Sequence, residues 1–167
     1  MFTLKRISPS GVPAALQKAE RYRLLNDSSA AESICRDIVE VEPDNQQALI
    51  VLLLSITDQF PDELGDGLRR AREVLPLLKD DYKRAYYAGI ICERRAKVQR
   101  RQSIPAAGSM AYESFREAMH WYEKAEAMRP DGNDEAILRW NTCVRVLASD
   151  EHLRPLPVEQ YEPVLED

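Results

Sequence analysis

Glycine is scarce in this chain, with six residues in 167 against ten prolines. A sandwich or barrel built on tight turns uses more, and frequent Ala, Leu, Glu and Arg favour helices instead. Cysteine is sparse as well. Cys35, Cys92 and Cys143 share no short spacing, which reads as reduced thiols in a cytoplasmic protein rather than a disulfide framework. The longest apolar run, Ala48 to Leu54, falls far short of the ~20 residues of a membrane span. The opening stretch MFTLKRISPSGVPAAL holds no apolar core of a secretory signal. A net charge of -5 argues against a surface built throughout for nucleic acid. What remains is 44% hydrophobic and 31% charged, enough to bury a core in one domain or one short array of repeats.

The apolar residues recur at helical spacing. Leu16, Ala19, Tyr22 and Arg23 place a helix over Pro13 to Leu25, and Asn26 to Ser28 interrupt it. Ser29 to Glu32 reads as a capping box, starting a helix whose stripe is Ala31, Ile34, Cys35 and Ile38 and which stops before Pro43. Asp44 is placed to cap the next helix. That helix, QQALIVLLLSI, is apolar nearly all round, the pattern of a helix sandwiched between neighbours.

Tyr22, Ala31 and Pro43 stand at the spacing of the tetratricopeptide repeat, and Ala118, Tyr122, Ala125 and Pro130 repeat its second-helix signature with Tyr122 in the Phe place. A frame starting at Tyr82 puts Ala85, Ala88, Gly89 and Cys92 at the first-helix positions, and Gly67, Ala71 and Val74 take the small and apolar places of the preceding second helix. The chain thus resembles the tetratricopeptide-repeat family, in particular small bacterial proteins of that class. The resemblance implies an all-α fold: a right-handed superhelix of antiparallel helix pairs, about three repeats plus a closing helix, over residues 1–149. It has departures. Ala15 and Ala19 replace the Trp and Gly of the first repeat, Phe60-Pro61 marks a short insertion, and Pro76 comes early.

The largest departure is in the third repeat. Family spacing from Tyr82 puts the second helix's first small residue at Arg101, whereas the signature starts at Ala118, 17 residues later. Residues 82–129 are therefore expected to form one elongated hairpin, turning between Ser103 and Ser109 and resuming as a helix at Met110. Between Tyr82 and Tyr112 stand seven basic residues and one acid, Glu93, giving +6 and leaving -11 for the rest. Arg94, Arg95, Lys97, Arg100 and Arg101 are the candidate basic tip, either for an anionic partner such as RNA or a membrane surface, or as a face answered by acids on a neighbouring helix. Residues 150–167 form an acidic, proline-containing tail. Either it is untethered, or Leu153, Leu156, Val158 and Tyr161 dock on the repeats.

No constellation of catalytic residues emerges, and none for a metal or cofactor. His120 and His152 have no ligand-like neighbour at helical spacing, and the cysteines fall on core stripes. Gly65-Asp-Gly67 lacks the spacing of a phosphate-binding loop. The resemblance implies instead a non-enzymatic interaction module, an adaptor or scaffold, with secretion-type chaperones of the same repeat class as an alternative. The family's first helices line a concave groove, and the corresponding positions are Leu16, Glu20, Arg23, Gln47, Ile50, Leu54, Lys83, Tyr86, Ile90, Ile137 and Asn141. The expected partner is another protein, presenting a peptide or an amphipathic helix to a largely apolar trough. Leu16, Val51 and Tyr87 stand near the places where carboxylate-gripping members carry polar and basic side chains, so that mode is not expected.

Overall fold

The computed structural model of the protein describes residues 1–156, all α-helical in architecture, with no strand among them. The helices are α1 (Val12–Leu24), α2 (Ser28–Val41), α3 (Gln46–Asp58), α4 (Phe60–Val74), α5 (Asp81–Arg100), α6 (Ala107–Met128) and α7 (Glu135–Ser149). Each packs on the next in chain order, and α1 also meets α3 as α3 meets α5.

Local chemistry sets the helix starts. Asp27 Oδ1 accepts from the Ala30 N–H at 3.2 Å, and Asn45 Oδ1 from the Ala48 N–H at 3.0 Å. Asp80 caps α5 through the Lys83 N–H at 2.8 Å. Each satisfies a backbone donor that a helix N-terminus leaves free. The caps of α2 and α3 thus lie one or two residues from the expected Ser29 and Asp44. Glu32 cannot close the expected box, because Arg36 (2.6 Å), Gln59 (2.7 Å) and Arg70 hold its carboxylate. Pro61 opens α4, whose Glu63 leaves helical geometry at φ -150°, and Pro76 sits in a short 3-10 turn over Leu75–Leu77.

Two apolar clusters make up most of the core. One joins α1–α4 to Ile91 of α5. The other joins α5, α6 and α7 around Phe115, Ala118, Tyr122 and Ala125. Leu54 and Tyr87 pack against both and hold them together. The small residues sit where helices come closest. A Cβ on Gly89 of α5 would lie 2.4 Å from Tyr122 Cε1 of α6, and within α4, across its kink at Glu63, one on Gly67 would lie 2.8 Å from Phe60 Cδ1. Cys35, Cys92 and Cys143 are buried and unpaired with one another, and burial pushes each thiol up to about 12.

The α5–α6 hairpin is the longest, with helices of 20 and 22 residues against 13 to 15 elsewhere. At 1.5 Å per residue, α5 outruns α3 by about 10 Å. Helix α6 begins at Ala107, three residues before the expected Met110. The far end of the hairpin is not bare. Arg100 Nε lies 2.7 Å from Asp150 Oδ2, Leu153 is buried in the α5–α7 cluster, and His152 O lies where a Cβ on Gly108 would stand. The core therefore runs past Ser149 to Leu153, while Leu156 is exposed and Val158 and Tyr161 lie outside the described residues.

Two glycine substitutions separate close approach from helix propensity. Gly89→Ala is expected to cost about 1–3 kcal/mol, because the Tyr122 ring is packed and has to move. Gly65→Ala, with nothing within 4 Å of the new Cβ, is expected to stabilise by about 0.5–1 kcal/mol. Urea denaturation followed by circular dichroism measures both, and equal shifts of the same sign would contradict the tight α5–α6 contact.

Candidate functional site: the face shared by α1, α3 and α5

Polar contacts stitch α1, α3 and α5 together at positions that are exposed or half-buried. Gln47 Nε2 donates to Glu20 Oε1 at 3.0 Å, linking α3 to α1. At the end of α3, Asp58 accepts from Arg23 Nε of α1 at 2.7 Å, from Ser28 Oγ of α2 at 3.2 Å and from Arg94 of α5. Arg94 also donates to Thr57 Oγ1 at 2.8 Å and to the Leu54 carbonyl at 3.2 Å, which the Thr57 hydroxyl reaches as well at 3.0 Å. Burial pushes the Asp58 carboxyl up, but the hydrogen bond and charge of Arg23 together with Arg94 outweigh it and hold the group below its ordinary value.

About two turns before the end of α5 lies a second carboxylate, and this one is fully buried. Glu93 is 1% exposed and accepts from Tyr122 Oη of α6 at 2.6 Å, from Lys97 Nζ at 2.5 Å and from Arg139 of α7 at 3.4 Å. Burial alone would raise its pKa. The bonds from Lys97 and Tyr122, with the charge of Arg139, keep it lowered. Beside these groups a cleft of about 430 Å³ opens between the α3–α4 bend (Thr57, Asp58, Phe60, Pro61) and the last turns of α5 (Arg94, Lys97, Val98, Arg101), with Gln102 beyond the helix end.

Not all of the expected groove residues reach this surface. Gln47 and Lys83 are exposed, and Leu16, Glu20, Arg23, Leu54, Ile137 and Asn141 are half-buried. Ile50, Tyr86 and Ile90 lie in the core at 9%, 9% and 2% exposure, which corrects the picture of a largely apolar open trough. Helix α3 is apolar all round and is buried on several sides, so Ile50 is enclosed. On α5 the register is rotated by one residue. Tyr86 stacks with Tyr82 at 6.0 Å and leans on Tyr122 at 6.0 Å, whereas Tyr87, edge-on to it at 5.1 Å, is the half-buried one beside Leu54.

The basic residues divide between sides of α5: Arg94, Lys97 and Arg101 line the cleft, and Arg95 and Arg100 do not. Arg94 turns to Asp58, Arg95 to Ser114 (3.0 Å) and Glu117 of α6, Lys97 to Glu93, and Arg100 to Asp150. They fan out around α5 because residues one and two apart on a helix do not share a face. Arg101 is exposed and has no ion-pair partner among the described residues. Asp58, Glu93, Tyr87 and Val98 were not singled out by sequence as site residues. Glu93 had a signal, since it is the one acid in a strongly basic segment.

Elsewhere, His120 is exposed beside Trp121. Among the described residues no group of three or more His, Cys, Asp or Glu side chains is arranged to hold a metal ion, and no helix is long and apolar enough to cross a membrane. The chain matches no family model, no curated protein and no solved structure.

The carboxylates make stability pH-dependent with a definite sign. Asp58 and Glu93 sit below their ordinary values of 3.8 and 4.5, so folding favours their ionised forms. Their contribution is complete above those values and is lost as pH falls through the lower folded ones. Urea midpoints are therefore expected to hold level between about pH 5 and about pH 8 and to drop below about pH 4. Glu93→Gln, which sets an amide donor against Lys97 and Arg139, is expected to cost about 1–3 kcal/mol at neutral pH and to flatten the acid limb. An acid limb unchanged in that variant would show that Glu93 is not one of its sources.

Proposed function

We propose that the chain is a tetratricopeptide-type helical solenoid acting as a non-enzymatic interaction module, which binds a peptide segment of another protein on the face of α1, α3 and α5. The repeat frame is supported by burial at equivalent places. Ala31, Gly67 and Ala118 are buried at the first small position, as are Cys35, Ala71 and Tyr122 four residues on and Ile38, Val74 and Ala125 three beyond. A single-hairpin fold has no need for that recurrence, whereas stacked pairs require it because no pair alone covers its apolar stripe.

The observation that carries the binding reading is the polar stitching across α1, α3 and α5, from Glu20–Gln47 to Arg23–Asp58–Arg94. It orders side chains at the surface of the three helices, and Leu54 and Tyr87 are half-buried where α3 and α5 join the two cores. A partly exposed tyrosine in a preorganised frame presents large contact area at low entropic cost.

The two tyrosines give opposite expected outcomes. Tyr86→Ala is expected to destabilise by about 3–5 kcal/mol, the cost of emptying a core aromatic site. Tyr87→Ala, at the surface, is expected to cost less stability and more binding.

Photo-cross-linking from the native cell extract tests the face directly. A benzophenone side chain at Gln47 or Lys83 is expected to give discrete protein adducts, and one at Ser33, exposed on α2, is not. Adducts from Ser33 alone would move the interaction to another surface.

A further inference from the structure

We propose that the cleft between the α3–α4 bend and the last turns of α5 binds a carboxylate-rich segment of a partner protein, with Arg94, Lys97 and Arg101 meeting its acids and Val98 and Pro61 meeting an apolar side chain between them. This rests on the reading of the α1–α3–α5 face as a peptide-binding surface and names the chemistry of its ligand.

The charge balance is the first argument. Each of two carboxylates near the cleft is answered by two cations: the half-buried Asp58 by Arg23 and Arg94, and the buried Glu93 by Lys97 and Arg139. A carboxylate neutralises one of its two partners and leaves the equivalent of one positive charge at each node. Arg101 adds a third, with no acid within ion-pair distance among the described residues. Asp58 is the one acid in the cleft lining.

Position is the second. Arg94, Lys97, Val98 and Arg101 stand at i, i+3, i+4 and i+7, so they form one stripe of α5 along the wall of the cleft. The rest of the lining comes from the α3–α4 bend, where Pro61 is exposed at the turn that opens α4. A pocket of alternating cations and apolar groups suits a segment in which acids flank an apolar residue. An extended single strand of nucleic acid would look for aromatic faces on which its bases stack. Phe60, the aromatic in the lining, is wholly buried.

Contrast with the rest of the chain is the third. Outside residues 82–112 the protein carries -11, so this cleft stands as a local positive potential on an acidic molecule. Such a site draws acidic partners toward itself while the remaining surface repels them, and the attraction falls as salt screens it.

The test uses the full chain and a short fluorescein-labelled peptide of glutamates around one phenylalanine, with fluorescence anisotropy as the readout. Binding is expected at low salt, weakening several-fold at high salt, and a glutamine-for-glutamate version of the peptide is expected not to bind. Arg101→Glu is expected to weaken binding about tenfold, since reversal removes one attraction and adds a repulsion. Its circular dichroism is expected to match the parent, because Arg101 is exposed and has no ion-pair partner among the described residues. Arg145→Glu, an exposed cation on α7, is the control and is expected to leave the affinity within about twofold.

Equal losses in the two variants, or no binding of the peptide at all, would overturn the proposal. So would a labelled oligouridylate that binds more tightly and is lost in Arg101→Glu, which would make the occupant a nucleic acid. Neutralising Glu159, Glu162, Glu166 and Asp167 in the full chain probes the remaining occupant. Tighter peptide binding in that variant would assign the cleft to the chain's own tail and overturn a separate partner, while unchanged affinity supports one. Adducts that persist at Gln47 while the glutamate peptide fails to bind would sink this inference and leave the interaction reading standing. Loss of those adducts in the parent chain would sink the interaction reading itself.

Discussion

Helices α5, α6 and α7 meet at Glu93, and the order of that end of the molecule depends on how its carboxylate is satisfied. The Tyr122 hydroxyl reaches it at 2.6 Å only because Gly89, one turn earlier on α5, lets the ring lie against the helix backbone. Lys97 and Arg139 then supply the charge that keeps the buried group ionised. Removing the side chain from Gly89 and putting the hydroxyl on Tyr122 are two parts of one solution. A larger residue at the first would push the ring away, and the carboxylate would lose its neutral donor. An uncompensated buried charge costs several kcal/mol, so this geometry is required as well as stabilising.

Asp58 performs the matching task for α1, α3 and α5. It draws Arg23 and Arg94 from helices on either side of α3, and so sets the lateral spacing of α1, α3 and α5. Glu32 does the same on the opposite side, joining α2 to Arg70 of α4 and to Gln59. Apolar burial supplies the driving force for stacking, but it is non-directional. The three shared carboxylates fix which turn of one helix faces which turn of the next. Because Asp58 and Glu93 each take two cations, the same device that orders the helices leaves the groove end of α5 positive. Helix order and local positive charge have a common origin there.

The long hairpin has a similar double aspect. Its extra turns raise Lys97, Val98 and Arg101 above the level reached by α3, and the bend at Phe60-Pro61 closes the space beneath them into a cleft. Arg100 and Leu153 tie its other side to the end of α7, so the stripe facing the cleft is held on a braced helix. A site on a braced helix keeps its geometry better than one on a free loop.

The amino-acid sequence by itself determined the helical class, the approximate helix spans, the small residues at Ala31, Ala118 and Ala125 and the burial of the three cysteines. These depend on local periodicity and on side-chain volume, and both are written in neighbouring positions. It also marked the basic segment and its extra length. Tertiary structure alone decided which of two adjacent tyrosines is open, because one residue on a helix is a rotation of about 100° and only the neighbours set that angle. It decided as well which cations are spoken for. Arg94 meets an acid 36 residues away and Arg100 one 50 residues away, pairings that no local pattern encodes. Arg101 sits one residue further on, in the same run of charge, and differs from them only in what the fold places beside it.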